Sequence, residues 1–293
     1  MRFYESKFYL DETFTVRSYE SGVTNHVSLP TLCNFMQEIA GLNAEKLGWG
    51  IRKLQEEGLT WMLSRLHLKV ARYVPWGEKI TLRTWPSGMK GRLIAMRCFQ
   101  GADGAGGEVL QAHSEWLYVD MKAQKIAKLP ESFADLVPPD TPDILFDDIG
   151  GKFTQLPDVT SRVEIRVRQS DLDFNDHVNN VHYVEWMLET IPLGTDPADW
   201  RIGGLEDCGI VGLGDWRIGG LNHTMQSHNL KSSNPPMTLG TGPVEMDIVF
   251  RAAAKAGDLL VSECFRAEDG RTMHLIRRSA DGLVLATAAM VWA

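Results

Sequence analysis

The sequence predicts an α+β protein made of two copies of one unit, each a long helix wrapped by an antiparallel sheet. Two observations carry this. Val16-Arg17 followed by Asn25-His26-Val27 returns as Val167-Arg168 followed by Asp176-His177-Val178, an offset of 151 residues. After each histidine comes an apolar stripe, Leu32, Phe35, Met36 and Ile39 in the first copy and Val181, Val184, Met187, Leu188 and Ile191 in the second. Both follow the i, i+3, i+4, i+7 spacing of a helix with one buried face.

Strand-like segments come next in each copy. Their β-branched and aromatic alternation, broken by Gly and Asp turns, reads as antiparallel sheet. The turn Gly77-Glu78 returns as Gly257-Asp258 at an offset of 180, so the second copy holds 29 more residues between helix and strands. They fall in a Gly-rich insert at about 192–243, where DWRIGGL occurs at 199–205 and again at 215–221. Two copies are too few for a solenoid and read as a duplicated surface loop. The expected organisation is a first unit over 1–135, a Pro/Asp-rich linker over 136–151 and a second unit over 152–293.

Composition bounds the function. The chain has 293 residues, 44% hydrophobic and 23% charged, which is globular and excludes wholesale disorder. A net charge of −8 argues against a nucleic-acid partner. No apolar run is long enough to enter a bilayer as a spanning helix, so membrane insertion is not expected. The start, MRFYESKFYLDETF, has no apolar stretch of the export-signal kind. Cys33, Cys98, Cys208 and Cys264 form no CxxC pair. Buried thiols in a reducing cytoplasm are expected. There is no HExxH or Cys/His cluster, so no metal or organic cofactor is expected.

The densest polar constellation is Asp171-Leu-Asp173-Phe-Asn175-Asp-His177-Val-Asn179-Asn180, between a strand and the second helix. If extended, it places Asp171, Asp173, Asn175 and His177 on one face. An amide can orient a carbonyl oxygen, an imidazole can manage a proton near neutral pH, and a carboxylate can fix either. The helix start adds backbone N–H groups and the positive dipole end. Asp and Asn before a helix also serve as caps and turns. This cluster is larger than a cap requires. The first copy has Glu20, Gly22, Thr24 and His26 at the matching places, keeping the histidine but losing the Asp/Asn pair.

The segment DLDFNDHVNNVHYVEWMLETIP resembles the active-site segment of the acyl-acyl carrier protein (acyl-ACP) thioesterases. HVSLPTLCNFMQEIAGLNAEKLGWG, EEGLTWMLSRLHLKVARYVPWGEKITLRTWPSG and SEWLYVDMKAQKIAKLPESF resemble that family's N-terminal half, and HLIRRSADGLVLATA its C-terminal end. The resemblance implies a double hotdog fold and hydrolysis of fatty acyl-ACP. It implies catalytic roles for Asp173, Asn175 and His177, an acyl tunnel in the first unit and acidic ACP as partner. Leu32, Phe35, Met36, Trp61 and Met62 are candidate tunnel liners. The family's acidic water-activating residue, often beside a Cys, falls on Ala253-Ala254, so both are replaced by alanine. Asp171 is a candidate substitute, and Glu206 in the insert a second. Alternatives are an acyl-CoA thioesterase and a catalytically impaired acyl-thioester-binding protein. The expected state is a monomer with an internal pseudo-dimer, or a homodimer.

Overall fold

The structure is a computed structural model and describes residues 7–22, 24–139, 144, 146–191 and 242–292. The first half contributes β1 (Leu10–Thr15), α1 (Leu29–Lys46), α2 (Ile51–Glu56), β2 (Leu59–Val70), β3 (Lys79–Lys90), β4 (Ile94–Asp103), β5 (Glu108–Asp120) and the short β6 (Lys125–Ile126). The second contributes β7 (Ser161–Arg166), α3 (Asn180–Leu188), β8 (Pro243–Phe250), β9 (Leu259–Arg266), β10 (Thr272–Arg278) and β11 (Val284–Trp292). The strands form one antiparallel sheet in the order β1-β3-β4-β5-β2-β8-β11-β10-β9-β7, with β6 beside β5. Read from either edge, the order is the same in equivalent strands. At its centre β2 pairs with β8 and His67 faces Asp247. The offset of 180 maps one of these positions onto the other, so the pseudo-twofold axis passes between them. This is the tandem hotdog architecture.

The helices form where the stripes predict. Ser28 caps α1, its Oγ accepting from Thr31 N at 3.2 Å, and Asn179 caps α3, its Oδ1 accepting from Val181 N at 3.1 Å. Leu32, Phe35, Met36 and Ile39 are buried, as are Val181, Val184 and Met187. α3 is shorter than its apolar stripe. Thr190 Oγ1 donates to Met187 O at 2.6 Å just beyond its end, Ile191 lies outside the helix, and the following Pro192 disfavours helical backbone at residue 191. The strands alternate faces. Leu66 and Leu68 of β2, with Met246 and Ile248 of β8, meet the helices in the main core.

The opposite face of β2 and β8 is charged. Arg65 donates from Nε and Nη2 to Asp247 Oδ1 and Oδ2 at 2.8 and 2.7 Å. His67 Nε2 lies 2.8 Å from Glu245 Oε1. Residues 146–151 cover this seam, with Phe146 against the His67 ring at 4.6 Å between centroids and Gly151 O accepting from Thr287 Oγ1 at 2.8 Å. A Cβ on Gly151 would stand 2.6 Å from the Asp247 carboxyl carbon and closer still to its carbonyl oxygen. Neither neighbour can yield without breaking the seam. Gly151→Ala is expected to destabilise the protein by about 1–3 kcal/mol, measured as a drop in the urea midpoint; an unchanged midpoint would contradict this packing.

The two interiors differ at matching positions. In the second half His274 is fully buried, with Thr190 Oγ1 at 3.2 Å from Nδ1 and Thr272 Oγ1 at 2.8 Å from Nε2. Its cross-strand neighbour is Cys264, also buried. Burial pushes the imidazole down to about 3. An unfolded histidine takes a proton near 6.5. Between those values the unfolded chain binds more protons, so stability falls as pH drops through this window. The melting temperature should decline over that range, and His274→Gln should flatten the decline; an unaltered slope would show that His274 does not set it.

Candidate active site

The polar constellation forms a tight loop between β7 and α3. A lone antiparallel bridge joins Leu172 to Val178, and Asp173 N donates to His177 O at 2.7 Å. The turn at its tip requires a left-handed residue, which is Asp176 at φ 58°. The first half builds the same frame, with Gly22 N donating to His26 O at 3.0 Å and Asn25 at φ 60°. The backbone is therefore duplicated, and the side chains carry the difference.

Asp173 organises the loop. Its Oδ1 accepts from Asn175 N at 2.8 Å and from His177 N at 3.4 Å. This ties together the two residues best suited to polar chemistry. The Asn175 Oδ1 accepts from Gln55 Nε2 of α2 at 3.3 Å. The first half thus reaches the second half's loop, and the Asn175 Nδ2 donors are turned away from that contact. The His177 ring is half-buried and makes no hydrogen bond to a described residue.

Asp171 stands apart from this group. It is buried, and its carboxylate accepts from Arg168 N at 2.8 Å and Arg168 Nε at 3.0 Å. Burial raises its pKa, but the hydrogen bonds and charge of Arg168 outweigh that and hold it below the usual carboxylate range. Glu20 caps Arg17 in the same way in the first half, Arg17 N donating at 2.8 Å. The repeated Arg-x-x-acid pair is therefore a clamp at the loop's entrance. This gives Asp171 a structural post in place of the free carboxylate expected of a water activator.

Ala254 does lie beside the loop. Its carbonyl accepts from Val178 N at 3.2 Å, and its N–H donates to the Tyr183 hydroxyl at 2.8 Å. The matching bond in the first half is Val27 N to Val74 O at 2.8 Å. Glu206, Asp207, Cys208 and the DWRIGGL repeats lie outside the described residues.

A narrow, mainly apolar cleft runs between α1 and α3 onto the sheet. Met36 and Gln37 line it from α1, Phe99 and Trp116 from β4 and β5, and Asn180 and Val184 from α3. Of the five expected liners, only Met36 borders this cleft. Leu32 is core, and Phe35 stacks on Phe14 at 4.3 Å between centroids. Trp61 joins a separate cluster with Trp49 and Phe133, and Met62 sits opposite Leu117 on β5. Gln37 and Asn180, which the sequence reading passed over, place amides beside the cleft. Gln37 could have been noticed from its place one turn beyond Cys33 on the apolar stripe. Cys33 also lines the cleft, but burial pushes its thiol up to about 12, which makes it a poor nucleophile.

Many basic residues that could have met an acidic partner are already paired. Arg83 pairs with Asp11, Lys90 with Glu115, Arg92 with Glu131, Arg277 with Glu263 and Arg278 with Asp281. Among the described residues no helix is long and apolar enough to cross a membrane.

Comparison with known proteins agrees with this fold. A model of the acyl-ACP thioesterase N-terminal domain matches residues 7–137, and one of the C-terminal domain matches 155–195. The chain is 32% identical over 200 residues to an oleoyl-acyl carrier protein thioesterase, chloroplastic, of Coriandrum sativum, covering 62% of this chain and 53% of that protein. It is 34% identical over 197 residues to a palmitoyl-acyl carrier protein thioesterase, chloroplastic, of Arabidopsis thaliana, covering 62% and 47%. The chain thus spans about half the length of the curated relatives it matches. Among solved structures, the 12:0-ACP thioesterase from Umbellularia californica superposes with a TM-score of 0.72 at 21% identity, over 100% of this chain and 99% of that one. An acyl-ACP thioesterase from Bacteroides thetaiotaomicron gives 0.69 at 19% identity, over 97% of both. With both domain models matched in order along one tandem hotdog, the chain belongs to the acyl-ACP thioesterase family.

Proposed function

We propose that the protein hydrolyses the thioester of fatty acyl-ACP and releases the free fatty acid. The observation that carries this reading is the loop that ties Asn175 and His177 to one carboxylate, Asp173, at the start of α3. The Asn175 Nδ2–H and the first N–H groups of α3 donate to the thioester carbonyl oxygen, where charge develops. Water attacks the carbonyl carbon and passes its proton to the His177 ring. The C–S bond breaks, His177 returns the proton to the departing sulfur, and a thiol and a carboxylic acid leave. The acyl chain lies in the α1/α3 cleft and runs into the first half. No step needs a metal or an organic cofactor.

The names of the relatives support a carrier-bound fatty acyl substrate, with ACP as the partner. Buried free thiols at Cys33, Cys98 and Cys264 suit a reducing compartment; we keep the cytoplasm as its place. A second reading draws on Ala253 and Ala254. Without a carboxylate there, the protein binds acyl thioesters and hydrolyses them poorly.

Steady-state hydrolysis of C8 to C18 acyl-ACPs decides between them. His177→Ala and Asn175→Ala should each lower turnover by about 10²-fold or more. Tight acyl-ACP binding without turnover at any length would select the second reading. Acyl-CoA hydrolysed in preference to acyl-ACP would reassign the carrier.

The Gln55 contact generates a sharper test. A glutamate at 55 accepts where glutamine donates, so at neutral pH it turns the Asn175 amide around and presents Oδ1 to the carbonyl. Gln55→Glu should lose about tenfold to 10²-fold in kcat, the deficit relative to wild type at the same pH narrowing as pH falls toward about 4.3, where the carboxyl protonates. Gln55→Ala, which leaves the amide free to rotate, should lose less. Equal losses with no pH recovery would remove Gln55 from this positioning role.

A further inference from the structure

Arg97 of β4 is partly buried and reaches from the sheet of the first half toward α1. It lies on the same face as Phe99, two residues along the strand, and opposite Ser114 on β5; both of those residues line the cleft. On its other side, Ala95 belongs to the aromatic cluster of Trp61 and Phe133. Arg97 therefore stands on the strand between a residue that lines the cleft, Phe99, and one that belongs to that cluster, Ala95. Its Nη1 donates to Asn43 Oδ1 at 2.7 Å and Thr84 Oγ1 at 3.1 Å. Asn43 and Thr84 are themselves fully buried, so this edge of the arginine is anchored. Both partners are neutral, and Arg97 pairs with no carboxylate among the described residues.

The unused edge is informative. Other arginines in this protein meet a carboxylate side-on through Nε and Nη2, among them Arg278 with Asp281 at 3.1 and 2.6 Å. Arg65 does so with Asp247 at 2.8 and 2.7 Å, and Arg83 with Asp11 at 2.5 Å on both bonds. Arg97 presents the same Nε/Nη2 fork, and no described residue accepts from it. A fork of this kind matches the two oxygens of a carboxylate. Burial pushes the guanidinium down to about 10, a cost that an interior anion would offset.

The second half acts as an internal control. Thr84 pairs with Phe99 and Cys264 with His274, so His274 stands where Phe99 does and Thr272 where Arg97 does. There the interior is neutral and closed, with both His274 ring nitrogens engaged. Among the described residues no cation stands at the matching place of the second half, which Thr272 occupies.

We propose that Arg97 is a carboxylate receptor inside the first half, and that its ligand is an alkyl chain ending in a carboxylate. The apolar part of that ligand rests on the acyl-chain reading above; the charged part rests on the Nε/Nη2 fork. The carboxylate has two sources, the far end of an ω-carboxyacyl substrate or the head of a released fatty acid.

The test is binding of decanoate, decanedioate and decan-1-ol to the full chain by calorimetry, in the wild type, Arg97→Met and Arg97→Lys. The carboxylates should bind the wild type at least about tenfold tighter than the alcohol. The preference should vanish in Arg97→Met and shrink in Arg97→Lys, which keeps charge but loses the fork. No carboxylate preference in the wild type, or one that survives in Arg97→Met, would overturn the proposal. The sources separate in kinetics. A distal carboxylate gives ω-carboxydecanoyl-ACP a lower KM than decanoyl-ACP; a head carboxylate makes decanoate a competitive inhibitor whose effect Arg97→Met relieves. A chain that hydrolyses no acyl-ACP would remove the thioesterase reading, while the binding series would still decide the role of Arg97.

Discussion

The pairing of β2 with β8 is the constraint from which the rest of the molecule follows. Two sheets of five strands join into one because their edge strands meet antiparallel, with His67 opposite Asp247 at the axis. On the helix side the seam is apolar, Leu66 and Leu68 against Met246 and Ile248. On the other side Asp247 is fully buried and bonded through both oxygens to Arg65. A buried carboxylate without that partner would be strongly destabilising, so the seam specifies its own register. It also sets α1 against α3 on one face. That juxtaposition creates the cleft between them and brings α2 of the first half to the loop of the second.

Duplication followed by divergence explains why the site is one-sided. Both halves keep the loop frame, the Arg-x-x-acid clamp, the left-handed tip residue and the helix N-cap. These are requirements of the shared backbone frame. The side chains inside the frame are free to differ. Gly22 and Thr24 stand in the first half where Asp173 and Asn175 stand in the second. The interiors diverge in the opposite sense, with a satisfied neutral network around His274 and an anchored cation at Arg97. The half with the polar loop supplies α3 to the cleft, and the half with the plain loop supplies α1 and most of the sheet residues that line it. Under the proposed function, this places the reacting groups in the second half and most of the acyl chain's lining in the first, with the seam joining them.

Much of this was legible in the sequence because it is periodic. Helical stripes and strand alternation depend on spacing alone, and the two offsets of 151 and 180 reveal the duplicated frame before any coordinate is known. The short α2 was not legible, since six residues carry too little period to register. The engagement of Asp171 was not legible because its partner is an arginine three residues earlier, a pairing that spacing permits but does not require. The recurrence of Arg17 with Glu20 at the same spacing was the available signal. The Gln55–Asn175 contact joins residues 120 apart in sequence, and no local pattern announces such a pair. The liners were misplaced for a similar reason. A helix stripe says which face is buried, whereas the boundary of a cleft is set by what the facing strands leave unfilled.

The proposed choice of His177 as water activator rests on how the groups around the loop are already engaged. Asp171 is committed to Arg168 through both oxygens. The Cys33 thiol is held in its protonated form by burial. Alanines occupy 253 and 254, and Ala254 spends its backbone groups on Val178 and Tyr183. Asp173 Oδ1 is engaged by two backbone N–H groups, which gives it the alignment of Asn175 and His177 as its task. His177 is held by its backbone while its ring makes no hydrogen bond to a described residue, so it can move a proton without disturbing the frame. Under the proposed hydrolysis, with alanine at 253 and 254, the imidazole serves as base and then as acid, and the oxyanion donors of Asn175 and α3 carry a larger share of the barrier.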